Sequence, residues 1–135
     1  MTDPELLPEA AVLGRLGHEK NVWLCTVRPN GSPHVTPVWF VFLQGSWWIG
    51  ADSGSIKVRN VEKCPRVSLA LEDGRFPVVA EGNAVLHRGP YPEEITDAFA
   101  LKYDGWDVSA PHRPGGDRVL VEVAVQRWLL TGTAQ

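Results

Sequence analysis

Residues 35–43 read Val35-Thr36-Pro37-Val38-Trp39-Phe40-Val41-Phe42-Leu43, the longest apolar stretch of the chain. It is rich in the β-branched and aromatic residues that suit a pleated, buried surface. Apolar side chains at consecutive positions make both faces of a strand apolar, so both need cover. A barrel wall that faces its own core needs a helix or a second subunit on its outer side. Upstream, Val22 to Arg28 is a short β-forming run. Pro29-Asn30-Gly31-Ser32 follows it as a turn, because Asn-Gly accepts positive φ. Downstream, Gly45 marks a second turn and Trp47 to Ala51 the next strand. These three strands are expected to form a meander.

The pattern then changes. Ser53-Gly54-Ser55 opens a segment whose apolar residues, Ile56, Val58 and Val61, recur too irregularly for a strand, and Pro65 stops it. A helix of two turns fits better. Val67 to Glu72 and Val78 to Leu86 read as strands around the turn at residues 73–77. Pro92 to Tyr103 reads as a helix, residues 104–117 as a Gly/Pro/Asp-rich loop, and Arg118 to Leu130 as one long closing strand. At the other end, residues 5–16 place Leu6, Leu7, Ala10, Val12, Leu13 and Leu16 near one helical face. About six strands joined mostly by tight turns predict a mainly β, α+β antiparallel barrel with a few short helices, and residues 1–135 form one domain.

Composition narrows the function. A hydrophobic content of 44% supplies a core without metal or disulfide staples, and a net charge of −3 offers no general attraction to nucleic acid. No apolar run approaches the roughly 20 residues that span a bilayer. The acidic, proline-punctuated first residues lack the blocks of a secretory signal. Cys25 and Cys64 suggest no disulfide framework, so reduced thiols and a cytoplasmic setting are expected. His18, His34, His87 and His112 show no metal-ligand spacing with either cysteine. Cys25, between Leu24 and Thr26, reads as core. Glu93 and Glu94 read as dipole partners at a helix start. Most of the six tryptophans read as core and interface packing.

The chemically informative segment is Ala51-Asp52-Ser53-Gly54-Ser55-Ile56-Lys57-Val58-Arg59-Asn60. A small-residue turn entering a helix presents free N–H groups and the positive end of the helix dipole. The hydroxyls of Ser53 and Ser55 add donors, and Lys57, Arg59 or Asn60 can meet an anion there. That is the chemistry of a phosphate seat. An ordinary serine cap on a solvated basic helix has the same residues. Walker-type spacing is absent.

Together with Gly31-Ser32-Pro33-His34-Val35-Thr36-Pro37-Val38-Trp39-Phe40, Pro65-Arg66-Val67 and Ala80-Glu81-Gly82, this segment resembles the pyridoxamine 5′-phosphate oxidase-like split-barrel flavoproteins. The likeness is greatest to the small branch that uses FMN or the deazaflavin coenzyme F420, and it runs from about Val22 to Leu86. It implies a six-stranded split barrel and a homodimer with cofactors at the subunit interface. It also implies that His34, Val35, Thr36, Pro37 and Val38 lie along the ring, largely through backbone groups. Ser53, Ser55, Lys57 and Asn60 are implied to hold the phosphate, Lys57 foremost. Several relatives place an arginine where this chain has Ser55.

The activity so implied is hydride transfer to a small unsaturated or quinone-like substrate, with no catalytic acid assigned. His34 is a candidate to face the substrate. Tyr103 and Trp106, in Lys102-Tyr103-Asp104-Gly105-Trp106-Asp107, are candidates to fold over the ring as a lid, or to pack on their own barrel. The rival reading is a non-catalytic carrier or sensor of flavin, deazaflavin or haem. True pyridoxamine 5′-phosphate oxidase activity is disfavoured, because Arg127-Trp128-Leu129-Leu130-Thr131 lacks the expected Arg-plus-His clamp.

Overall fold

The computed structural model describes residues 7–112 and 114–134. Helix α1 (Ala10–His18) leads into strands β1 (Val22–Val27), β2 (Pro33–Val38), β3 (Val41–Leu43) and β4 (Ser46–Asp52). Helix α2 (Ile56–Lys63), β5 (Arg66–Leu71), β6 (Val78–His87), α3 (Glu93–Lys102) and β7 (Arg118–Thr131) follow. Helix α1 begins after Pro8-Glu9 rather than at residue 5, and the expected first turn at residues 5 and 6 lies outside the described residues. The strands join in one antiparallel sheet, in the order β2-β1-β5-β6-β7-β4-β3.

This order corrects the expected six strands to seven among the described residues. The apolar run at 35–43 breaks at Trp39-Phe40. Its first part pairs with β1 and its second with β4, so no three-strand meander forms. The link from Val38 to Val41 reaches at most about 11 Å. Laid flat, seven strands would hold their edges about 29 Å apart. Since β2 and β3 are the two edges, the sheet must curl until they nearly meet. The result is a split barrel whose seam is crossed by Trp39-Phe40. Turn chemistry supports the curl. The β3–β4 hairpin turns on Gln44 and Gly45, with φ of 59° and 75°, the two positive values that its tightest form requires.

Inside lie Leu24, Phe40, Trp47, Ile49, Leu69, Ala80, Val121 and Val123, closed off by Val12 and Leu16 of α1 and Val58 and Val61 of α2. The outer face of β3, β4 and β7 carries Val41, Trp48 and Leu120, on which Ile95, Phe99 and Tyr103 of the α3 region and Val108 pack. On this outer face the apolar patch is flanked by the polar pairs Ser46–Glu122 and Asp52–Arg118. Helix α3 leaves the outer face of β1, β2 and β6 uncovered, where Trp23, Val35 and Val85 are exposed. Cys25 belongs to that outer face, half-buried, rather than to the core as expected; strand alternation opposes it to Leu24 and Thr26. Among the described residues no helix is long and apolar enough to cross a membrane.

The C-terminal end of α3 fastens the seam. The Tyr103 hydroxyl accepts from Phe40 N (2.8 Å) and has Lys20 O (2.8 Å) and Phe40 O (2.9 Å) as acceptors for its own proton. Lys102 Nζ donates to Leu16 O (3.0 Å) and Phe40 O (2.9 Å), and Lys20 Nζ donates to Lys102 O. Burial pulls Lys102 down to about 8 and pushes Tyr103 up to about 12.

These shifts fix a sign. Between about pH 8 and 10.5 folded Lys102 has lost a proton that the unfolded chain keeps, so stability rises with pH across that window. Above pH 10 folded Tyr103 keeps a proton that the unfolded chain loses, and stability falls. In denaturation series at successive pH values, the wild-type midpoint should rise from pH 8 to 10 relative to that of Lys102→Met. A flat difference between the two proteins would contradict the assignment.

Candidate functional site

Strand β4 ends at Asp52, and the turn at Ser53-Gly54 delivers the chain into α2 with Ser55 as its N-cap. Ser53 N donates to Asp117 O (3.0 Å), which ties the turn to the start of β7. The Ser55 amide and hydroxyl both turn back to Asp52 O, at 3.0 and 2.8 Å. The Ser55 side chain therefore shapes the turn. The first intrahelical bond runs from Arg59 N to Ser55 O, so the helix offers no acceptor to the amides of Ile56, Lys57 and Val58.

Lys57 is half-buried beside this helix start. Loss of solvent holds its ammonium below the ordinary lysine range; Asp52 opposes that shift and Arg118 adds to it. Arg118, the first residue of β7, stands opposite Asp52 in the β4–β7 ladder. Its NH1 lies 2.9 Å from Asp52 Oδ1 and its Nε donates to Val108 O (3.3 Å), with the side chain only 10% exposed. Lys57 and Arg118 therefore share this corner with Asp52, which is paired to Arg118. Burial also raises Tyr91, against the pull of Arg118 and Arg88, and Tyr91 shares with Arg118 a cleft of about 260 Å³.

Arg118 is the residue missed in the sequence. It opens a strand after a long loop, and only the β4–β7 pairing brings it beside Asp52. The space it occupies depends on Gly50. A Cβ there would lie 2.4 Å from Val108 Cγ2 and 2.9 Å from Arg118 NH2. Gly50→Ala should therefore displace both the loop and the guanidinium, at a cost of about 1–3 kcal/mol in stability. Urea denaturation of wild type and variant reads the loss.

The second predicted segment, His34 to Val38, lies within β2. The two segments meet across β1: Asn60 Nδ2 donates to Thr26 Oγ1 (2.9 Å), and Thr26 stands opposite His34. Asn60 is thus buried, with its amide nitrogen held by Thr26. An amide this deep needs an internal partner, and Thr26 is that partner. His34 Nδ1 is buried with no hydrogen-bond partner. As an edge strand, β2 turns alternate backbone groups outward. Pro33 and Pro37 fit where the ladder needs no N–H, so Val35, in phase with both, presents its N–H and C=O at the open edge. From His34 to Val38 the strand runs about 13 Å.

Tyr103 and Trp106 are not gathered with these residues as a free lid. Tyr103 is buried with its hydroxyl committed to the seam, and Trp106 packs edge-on against Phe99, Tyr103 and Trp39. The segment packs on its own barrel because Phe40 needs partners at the seam. Glu93 and Glu94 sit in the first turn of α3, the favourable end of its dipole.

The family model described as pyridoxamine 5′-phosphate oxidase matches residues 8–132. No curated protein matches the chain. Among solved structures, an F420 reductase is 23% identical over 90% of this chain and 98% of its own, with a TM-score of 0.71. HutZ, the haem storage protein from Vibrio cholerae, is 19% identical over 95% of this chain and 98% of its own, with a TM-score of 0.73. A pyridoxamine 5′-phosphate oxidase-related, FMN-binding protein from Nostoc punctiforme is 18% identical over 86% of this chain and 77% of its own, with a TM-score of 0.59. At these identities the likeness to solved structures is one of fold.

Proposed function

Because the chain belongs to the pyridoxamine 5′-phosphate oxidase family, we propose that it binds a phosphorylated flavin-type cofactor, coenzyme F420 or FMN. In this reading it is an oxidoreductase acting on a small unsaturated or quinone-like substrate. The observation that carries the reading is the half-buried, desolvated Lys57 ammonium beside the first amides of α2, to which the helix offers no acceptor. A half-buried cation held below its ordinary range gains most from an arriving anion, so the residues present fit a phosphate. Lys57 and the first amides of α2 hold the phosphate, and Ser53 and Ser55 fix the turn that aims them. Arg118 adds positive charge while Asp52 holds its guanidinium in place.

The open edge of β2 takes the ring, with Val35 N–H and C=O as its polar groups and the unpartnered His34 Nδ1 beside it. The cofactor supplies the hydride when bound and reduced; the protein orients it and keeps water from one face. The exposed apolar face of β1, β2 and β6 is where a second subunit seats, making a homodimer that encloses the ring. Free Cys25 and Cys64 suit a reducing, cytoplasmic setting.

The likeness to HutZ favours a second reading, storage of a cofactor or haem without turnover. Anaerobic stopped-flow mixing of protein-bound reduced F420 or FMN with menadione separates the two. Oxidation faster than that of the free cofactor supports the oxidoreductase. Tight binding with no acceleration supports storage.

A further inference from the structure

Trp39 directly follows β2 and is 45% exposed, whereas its neighbour Phe40 is fully buried. Its ring lies parallel to that of Tyr103, with centroids 4.6 Å apart and planes 4° from each other. Trp106 abuts it edge-on at 5.2 Å and 82°. Tyr103 in turn stacks on buried Phe99 at 6.1 Å and 25°. The three rings make a ladder rising from the core, and Trp39 is its outermost rung.

Tyr103 covers one face of the indole and Trp106 abuts its edge, yet nearly half of the residue stays exposed. Such a ring is already ordered, so stacking a second flat molecule on it costs no side-chain entropy there. Its position also matters. Asn60 of α2 bonds Thr26, which stands opposite His34, so α2 lies at the His34 end of β2 and a ligand anchored by phosphate there meets the strand from that end. The strand carries it about 13 Å to Val38. Trp39 is the next residue, just beyond the far end of the ring seat. A flat molecule stacked on the indole would lie beside the ring at that end.

We propose that Trp39 binds the substrate, as the stacking platform for a planar, conjugated acceptor of the quinone class. This rests on the cofactor-binding reading above and adds the residue that selects for flatness. Tyr103 is then a positioning residue, holding the platform rather than touching the substrate. A favourably stacked aromatic pair adds about 0.5–1.5 kcal/mol beyond its buried area, or roughly two- to twelvefold in affinity.

The test is equilibrium dialysis of menadione, and separately of the non-aromatic 2-cyclohexenone, against protein loaded with oxidised F420 or FMN. Wild type, Trp39→Phe and Trp39→Ala are compared, with cofactor affinity and sedimentation measured on each. Trp39→Ala should weaken menadione binding by up to about twelvefold and by more than it weakens cyclohexenone or cofactor, whose affinities should stay within about twofold. Trp39→Phe should retain most of the menadione affinity. Equal losses for both acceptors, a matching loss of cofactor affinity, or dissociation of the oligomer by Trp39→Ala would each overturn the assignment. In the last case the indole belongs to a subunit interface. If wild type binds menadione but transfers no hydride to it, the oxidoreductase reading fails and the platform stands. If it binds cofactor but no menadione, the platform fails.

Discussion

Lys57→Ala should lower affinity for F420 or FMN by about ten- to a hundredfold, the 1.5–3 kcal/mol of a charge-assisted hydrogen bond. The same substitution should leave the denaturation midpoint of the unliganded protein unchanged or slightly raised. Burial holds the ammonium below its ordinary range, so in the absence of an anion Lys57 is a cost to the fold rather than a support. Binding lost without stability lost is the signature of a ligand-holding cation. Lys57→Arg keeps the charge but alters its shape, and should fall between the two. The measurement is cofactor titration by fluorescence or absorbance, paired with thermal denaturation. Unchanged affinity in Lys57→Ala for both cofactors would place the phosphate elsewhere.

The largest effect on stability is expected at Tyr103. Tyr103→Ala should cost about 3–5 kcal/mol, the range for removing a buried aromatic side chain. It empties a site that packs on Phe99, Trp39 and Trp106 and leaves Phe40 N without its partner. Tyr103→Phe keeps the ring and loses the hydroxyl, for about 1–3 kcal/mol. The distinction matters because the hydroxyl bonds both polar groups of Phe40, at the crossing of the barrel seam. If Tyr103→Phe were neutral in urea denaturation, packing alone would hold the seam and the hydrogen bonds would be incidental.

Much of this architecture is legible in the sequence, and the parts that are not share a cause. The hairpin turns, α2, α3 and the long β7 follow from local chemistry: Asn30-Gly31, Gln44-Gly45, Pro65 and alternation along 118–130. The break at Trp39-Phe40 does not. Both residues are good β-formers, and what interrupts the strand is the requirement that its halves end on opposite edges of a closed sheet. Closure is a property of seven strands together, not of nine residues.

The site divides in the same way. Lys57 and the helix start are visible because spacing along the chain carries them. Asn60 sits in the same motif, and only the tertiary contact with Thr26 shows that it faces inward. Arg118 has no motif and comes beside Asp52 through the β4–β7 register. Tyr103 was legible as an aromatic near a glycine, which suits a lid and a buried strut equally well. The position of Phe40 decides for the strut.

The most direct test is a crystal structure of the protein grown with F420 or FMN. The phosphate should lie within hydrogen-bonding distance of Lys57 Nζ and the first amides of α2, with the ring against the open edge of β2. A phosphate bound at another place, with the α2 corner filled by the protein's own side chains, would contradict the account.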